Sequence, residues 1–524
     1  MRNRLLKRWG LLLSAAVLAV LVGCQSVGGL NLNDVLLKQF DVASVESSSA
    51  LEVNIDWNDD MLAGEDPELA KVLGWFEKTT LRIDQAKVSK DGRMLIRGSF
   101  GFGKGTIPFE MHSDNDKLLL NVDGAKHPLV ISNADEQSLL GGVSGAGTVQ
   151  DATPEMTEAL RGIVKEAASY FIEHLPNPSQ ISVDRVSEPI NGSATTLNHV
   201  HAELDGAELA QLIPNYLDAI AGDEEGLKAW LQRLLQLASE LPPDALEALG
   251  TTPEELKAEL DDANANLDDT VQLIVGEFKM LRETWDSMKQ EDPDSFNQIF
   301  NASAKLKTDW YVDNDLRLRK SVADFSYVTP AEVKDELPFR SISVHSSEEI
   351  WNINGDVQVP EVSVPRDAYT PEELADLNPV RTVRLFEPDS VIYDLLKNEF
   401  AIDDQHFAIS SEWGVPFKYG KDGKTLYVPL KSTLEEMGDQ VAYEPQTKSY
   451  RFYDEATSQE VVLHLNSKEV TVNGRKTNWS EPAAIVIGGT AYVPAKPFFE
   501  LVHAQYSLDT LQDGTKLLSV DRDL

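Results

Sequence analysis

Apolar and polar residues alternate with a period of two through much of the region 51–132. In LEVNIDW (51–57), Leu51, Val53, Ile55 and Trp57 share one side of an extended chain. LRIDQAKVS (81–89), RMLIRGSFGF (93–102), TIPFEMH (106–112) and KLLLNVD (117–123) are short runs of the same kind, and turns at Lys90-Asp91-Gly92 and Ser113-Asp114-Asn115-Asp116 punctuate them. Successive side chains of a strand point to opposite faces, so such runs broken by Asp, Asn and Gly predict an antiparallel meander. The period then changes. TPEMTEALRGIVKEAASYFIEHL (153–175) predicts a helix, with Thr153 as cap, Pro154 at its first position, Glu155 complementing the dipole and Pro176 ending it. QISVDRVSE (180–188) and TTLNHVHAELD (195–205) return to strand around an Asn191-Gly192 turn.

Residues 206–300 carry mostly helical spacing. Leu209, Leu212, Ile213, Tyr216, Leu217 and Ile220 form an apolar side interrupted by Pro214, which predicts a kink or break. EGLKAWLQRLLQLASEL (225–241) predicts a further helix, and the longest is expected near 254–290. In it Leu267, Val271, Ile274, Phe278, Leu281, Trp285 and Met288 are spaced 4, 3, 4, 3, 4, 3, a heptad seam. A seam of only about three heptads fits a stripe packed on the protein's own elements better than a partner-binding coiled coil. Strands resume at 302–315, 317–328 and 340–354. The order strands, helix, strands, helices, strands predicts an α+β domain over 51–356: one curved antiparallel sheet with helices packed on its concave side.

Pro360, Pro365, Pro371 and Pro379 crowd into 357–382. That density disfavours regular structure and predicts a stiff linker at the main domain boundary. Beyond it, 383–524 is expected to form a small antiparallel α+β domain with an internal repeat. GKTLYVPLKSTLEEMGDQVAY (423–443) parallels GGTAYVPAKPFFELVHAQYSL (488–508). Tyr427-Val428-Pro429 and Lys431 in the first match Tyr492-Val493-Pro494 and Lys496 in the second, 65 residues later. In each copy a strand should end at Val-Pro and a helix begin, with Leu434 and Met437, or Phe498 and Leu501, facing inward. Proline there removes a ladder donor and pre-sets the chain for the helix start. Short strands with turns such as Asn473-Gly474 fill the space between the copies.

This repeat resembles the copper amine oxidase N-terminal-like domain, common in exported proteins of Gram-positive bacteria. The resemblance covers about 420–524, roughly a fifth of the chain. It implies a small antiparallel sheet wrapped around a helix, acting as a non-catalytic accessory module. The catalytic domain of amine oxidases needs an Asn-Tyr-Asp/Glu motif and three histidine ligands. Here Asn215-Tyr216 is followed by Leu217 within a helical pattern, and no other Asn-Tyr pair occurs. The region before the linker, with the segment HAELDGAELAQLIPNYLDAI (201–220), is similar to exported lipoproteins with a LolA/LppX-like half-barrel. That group implies a sheet cupping an apolar cavity able to hold a lipid.

The N-terminus adds an address. Arg2, Arg4, Lys7 and Arg8 precede an uncharged apolar run of fourteen residues, Trp9 to Val22. That is short for a membrane span, which needs about 20 residues, and it matches a signal peptide. Leu21-Val22-Gly23-Cys24 resembles the bacterial lipoprotein signal. The resemblance implies cleavage after residue 23, a diacylglyceryl group (palmitate-type acyl chains) on Cys24, and residence on the outer face of the cell membrane. Stable anchoring takes roughly two acyl chains, which such a modification supplies. Residues 24–50 are expected to be a lipidated tether, with a short helix over Leu32–Leu37 capped by Asn33.

Composition narrows the remaining classes. Cys24 is the only cysteine, so no intramolecular disulfide and no Cys-based zinc site can form. Hydrophobic residues at 42% suffice for folded cores. The net charge of −39 becomes −43 once residues 1–23, with four basic and no acidic side chains, are removed. Nucleic acid is therefore not an expected partner.

Candidate chemistry is sparse. Among nine histidines only His199 and His201 are close. An i, i+2 pair on a strand faces one way and has metal-ligand spacing. No third ligand is indicated, so two strand histidines without a metal is the expectation. GSFGFGKG (98–105) reads as a hairpin rather than a phosphate cradle. Asp59-Asp60, Asp261-Asp262 and Asp268-Asp269 invite a glycosidase or Ca²⁺ reading, but a glycosidase needs two carboxylates that the fold sets about 5–10 Å apart and the Ca²⁺ loop spacing is not met, so solvated surface is the expectation. The expectation is a non-catalytic, cofactor-free lipoprotein that binds or scaffolds a partner such as a cell-wall component in the envelope. Two alternatives stand beside it: a carrier or sensor of a lipid or other apolar ligand, and a carbohydrate-active hydrolase.

Overall fold

A computed structural model describes residues 26–58, 67–114, 116–132, 154–248, 251–331, 337–375, 377, 379–402, 404–454, 456–511 and 514–522. The signal segment, Cys24, the Asp59-Asp60 pair and the Thr153 cap lie outside the described residues. The chain divides into two compact units: Met1–Val122 with Leu129–Ala368, and Asp123–Pro128 with Tyr369–Leu524.

The first unit begins with a hairpin of β1 (Ser26–Val27) and β2 (Leu30–Asn31), then α1 (Leu32–Lys38). The cap of α1 is Asn31, whose side chain accepts from the Asn33 amide, rather than Asn33 itself. Residues expected to form a tether are thus folded: Leu30, Leu32 and Val35 are buried against Val200, Ala202, Trp310 and Val312. Next come β3 (Val45–Trp57), α2 (Pro67–Gly74), β4 (Lys78–Val88), β5 (Met94–Phe102), β6 (Gly105–Ser113), β7 (Lys117–Val122) and β8 (Leu129–Ser132). After α3 (Pro154–Glu173) follow β9 (Gln180–Ile190) and β10 (Ser193–Asp205). The helical stretch holds α4 (Gly206–Gly222), α5 (Glu224–Ser239), α6 (Pro243–Ala248), α7 (Pro253–Ala265), α8 (Leu267–Glu291) and α9 (Pro293–Ile299). The last three strands are β11 (Lys305–Val312), β12 (Leu318–Val328) and β13 (Phe339–Trp351).

All strands from β3 to β13 form one antiparallel sheet of eleven, in the order β8-β7-β6-β5-β4-β3-β13-β12-β11-β10-β9. The first of them, β3, pairs with the last, β13, from Trp57↔Phe339 to Glu46↔Trp351. That pairing explains why β3 starts at Val45, six residues before its apolar alternation begins: Ser47, Ser48 and Ser49 all pair with β13, and Ser47 and Ser49 also pair with β4. The β9–β10 hairpin turns on Asn191 (φ 46°) and Gly192 (φ 75°), the left-handed pair that a two-residue turn requires.

Two helix expectations need correction. The region 254–290 is two helices, broken at Asn266, where α7 ends and α8 starts. Pro214 does not break α4, which runs from the Asp205 cap to Gly222. Packing on both sides of the proline holds it: Leu209 and Ile213 lie against Trp285 and Phe300, and Tyr216 against Ile220 and Val271. The heptad stripe of α8 is spent inside the unit. Leu267, Val271 and Trp285 are buried, and Ile274, Phe278 and Met288 are half-buried against the unit's own clusters, whereas Leu281 is exposed, so the stripe is no free seam.

The proline-rich region is more ordered than its composition predicts. Val357 and Val359 are buried against Leu95, and the Pro360 carbonyl lies 2.8 Å from His112 Nε2. Pro371 and Pro379 each open a short helix, α10 (Pro371–Ala375) and α11 (Pro379–Arg384), at the position where a missing N–H costs nothing.

The second unit continues with α12 (Val391–Asp394), β14 (Gln405–Ser410), β15 (Lys418–Tyr419), β16 (Leu426–Pro429) and α13 (Leu430–Glu436). A meander follows: β17 (Val441–Glu444), β18 (Ser449–Asp454), β19 (Gln459–His464), β20 (Glu469–Val472) and β21 (Arg475–Asn478). It ends with β22 (Ile485–Ile487), β23 (Thr490–Pro494), α14 (Ala495–Leu501), β24 (Gln505–Thr510) and β25 (Lys516–Arg522). Three small antiparallel sheets enclose one core in which Leu434, Phe452, Val461, Leu463 and Phe498 are fully or nearly fully buried.

Candidate functional site

The large sheet has two unlike faces. On β4–β8 one face carries cross-strand apolar rows: Leu81, Phe100 and Ile107; then Ile83, Gly98, Phe109 and Val122; then Ala86, Ile96, Met111, Leu120 and Leu129. Ile83 and Ala86 are three residues apart, which in a regular strand would place them on opposite faces. A register shift between Ile83 and Gln85 supplies the extra residue that returns Ala86 to the apolar side. Such a bulge also bends the strand. Gly98 sits at this point because no side chain fits: a Cβ there would lie 2.3 Å from the Arg82 carbonyl and 3.1 Å from Phe109 Cζ.

Among the described residues, no buried cluster of the unit covers these rows. The side chains on them are half-buried, with Leu51 36% and Leu81 37% exposed on adjoining positions. Among the described residues, none of the buried clusters of the unit includes Phe100, Phe109, Ile96, Met111 or Leu120. Those clusters lie instead at α1 on β10–β11, among α3, α4, α5 and α8, and where α2 meets Ile55, Phe325 and Ile342. One polar strip crosses the same face: Ser321, Glu348 and Ser49 are cross-strand neighbours between Trp310 and Ile83. Burial pushes the Glu348 carboxyl above its usual range.

The opposite face is charged. Arg97 meets Glu110 at 2.6 Å, Lys78 meets Glu52 at 3.1 Å and Lys307 meets Glu203 at 2.8 Å. His199 and His201 lie here, and the β10–β11 register sets Asp309 directly opposite His201. Asp309 Oδ1 is 2.6 Å from His199 Nε2 and 2.8 Å from His201 Nδ1. The second nitrogen of His201, Nε2, is 3.2 Å from Glu203 Oε1. The His199 ring stacks on Tyr311, with centroids 4.7 Å apart and planes at 11°. The paired carboxylates raise the His201 pKa, led by the hydrogen bond to Asp309. The Asp309 carboxyl titrates below its usual range: burial opposes its charge, but the hydrogen bonds from the two histidines outweigh that. Asp309 is the residue that sequence reading missed. Its only signal is the alternation in LKTDWYV, and it needs the strand register to be seen.

The other sequence candidates gain no site geometry. Asp261, Asp262, Asp268 and Asp269 are exposed, and Asp268 pairs with Lys228. The glycine-rich 98–105 segment is the β5–β6 hairpin, closing at Phe102↔Gly105.

In the second unit the two Tyr-Val-Pro copies pair with each other. β16 runs antiparallel to β23 with Tyr427↔Pro494, Val428↔Val493 and Pro429↔Tyr492, so the valines form the centre of an approximate twofold arrangement. From each copy a helix leaves directly after the proline, burying Leu430 and Leu434 or Ala495 and Phe498. Residues 415–512 match the copper amine oxidase N-terminal domain family. The match falls on the expected region and encloses both copies. Within the matched region Asn473 (φ 47°) and Gly474 (φ 77°) form the expected turn between β20 and β21. No curated protein and no solved structure matches the chain.

Proposed function

We propose that this protein is a lipid-anchored envelope protein whose first unit holds an apolar ligand, an acyl chain or a molecule of similar shape, against the apolar face of β4–β8. The observation that carries the reading is that face: three adjoining cross-strand rows, half-buried, outside every buried cluster among the described residues. A monomeric soluble protein rarely leaves a contiguous apolar area of this kind uncovered without using it. The Ser49–Glu348–Ser321 strip offers an amphipathic ligand a place for its polar end. A single eleven-stranded antiparallel sheet with helices on its apolar side also accords with the LolA/LppX-like resemblance. The C-terminal unit then serves as a non-catalytic module that binds or scaffolds an envelope component, and Cys24 carries the anchor.

Native mass spectrometry of residues 25–524, after incubation with phospholipid vesicles, tests the carrier step. A bound apolar mass is expected, and Met111→Asp, which places a carboxylate on the face, should abolish it while the melting temperature stays close to wild type. Absence of any adduct on the wild-type chain would refute the carrier reading. Metabolic labelling with an alkyne fatty acid tests the anchor: Cys24→Ser should lose the label and leave the membrane fraction.

A further inference from the structure

From the polar face we propose that His199, His201 and Asp309 form a binding site for one zinc-type divalent transition-metal ion. Two ring nitrogens on β10 flank one carboxylate oxygen on β11, and the three ligand atoms lie within 4.8 Å of one another. A tetrahedral zinc centre with bonds of about 2.0–2.1 Å sets its ligand atoms about 3.3 Å apart. The two nitrogen–oxygen separations of 2.6 and 2.8 Å need to open by about 0.5–0.7 Å to reach that spacing, and the two nitrogens lie within 4.8 Å of each other.

The surroundings are those of a ligand set already held in place. His199 is fixed by its stack on Tyr311, and Lys320 Nζ sits 5.2 Å from the same ring. His201 offers Nδ1 inward while Nε2 faces Glu203, which Lys307 holds at 2.8 Å. A carboxylate on the far nitrogen of a ligating histidine orients the ring and raises its basicity. The three side chains are 22%, 36% and 23% exposed, so they are partly dry yet reachable, and water can complete the coordination. Two imidazoles select zinc-type ions over calcium or magnesium, which prefer oxygen-only shells. A chain of net charge −39 also raises the local concentration of any divalent cation.

Isothermal titration of the purified, EDTA-treated chain (residues 25–524) with zinc chloride tests the site. One saturable site per chain is expected. His201→Ala and Asp309→Asn should each weaken it at least about tenfold. His345→Ala is the control: His345 pairs with Asp324 at 2.7 Å on the same face, but among the described residues it belongs to no set of three ligand atoms within 4.8 Å of one another, and its isotherm should match wild type. A readout on the unmutated chain guards against a misfolded variant. Zinc should protect His199 and His201, but not His345, from diethylpyrocarbonate in a peptide-resolved mass analysis. The proposal is overturned by the absence of a saturable site, by equal losses in the His201 and His345 variants, or by no selective protection.

Discussion

Arg522 and Asp454 form the least exposed ion pair among the described residues, at 0% and 1% side-chain exposure. Arg522 Nη2 lies 2.6 Å from both Asp454 oxygens, Nη1 donates to Gln405 Oε1 at 3.1 Å and Nε donates to the Val502 carbonyl at 2.6 Å. Gln405 in turn donates to the Met437 carbonyl at 2.8 Å. Val502 and Met437 follow α14 and α13, so one guanidinium ties together the ends of both repeated helices, β14, β18 and β25. Asp454→Asn removes the countercharge and leaves the guanidinium buried with only neutral acceptors. Breaking one side of such a pair costs about 3–5 kcal/mol. At about 1.4 kcal/mol per tenfold, opening of the second unit should become a hundredfold to a few thousandfold more frequent. Hydrogen exchange read by mass spectrometry on the full chain can localise this. Peptides over 405–410, 449–464 and 516–522 should lose protection by that factor, while those over 45–57 and 339–351 should not change. Replacing both partners by apolar residues, Asp454→Leu with Arg522→Met, should recover most of the loss, since no charge then remains buried. A loss of protection below about fivefold in Asp454→Asn would refute the account.

Two further outcomes follow from the large sheet. Gly98→Val should destabilise the first unit by about 2 kcal/mol or more, because its Cβ would meet the Arg82 backbone rather than a movable side chain; chemical denaturation measures it, and a neutral result would contradict the bulge geometry. Glu348→Gln should stabilise the protein increasingly as pH rises from about 4.5 toward neutrality. Burial raises the folded-state pKa of Glu348, so its favourable contribution is complete below the unfolded value and fades as pH climbs through the folded one; melting curves of both proteins across pH 4–8 should diverge upward, and parallel curves would be inconsistent with a buried carboxyl.

Much of this architecture is readable from local chemistry. Asn191-Gly192 and Asn473-Gly474 announce their hairpins because only residues tolerant of positive φ fit there. The Val-Pro junctions announce both strand-to-helix turns of the second unit. What could not be read depends on partners distant in the chain. Ser47–Ser49 look like loop and become strand through β13, some three hundred residues away. Asp84 looks like a regular strand residue and is part of a bulge. Asn266 divides what periodicity alone joins, since a helix seam says nothing about a single residue's backbone. The histidine pair is visible, but the carboxylate that turns it into a candidate site arrives 108 residues later by strand register. Asp454 and Arg522 carry no local signal, because nothing in their neighbourhoods distinguishes a buried charge from a solvated one.

The union of β3 with β13 sets a timetable for the chain's birth. Synthesis delivers the six strands β3–β8 early, yet the inner border of that half stays unsealed until residues 339–351 emerge. Over that interval of more than two hundred residues, a bare row of amide and carbonyl groups along β3 coexists with the greasy side of β4–β8. Both are adhesive toward other nascent copies. The keystone strand arrives last, so any truncation before residue 339 should yield an aggregating half rather than a smaller stable protein.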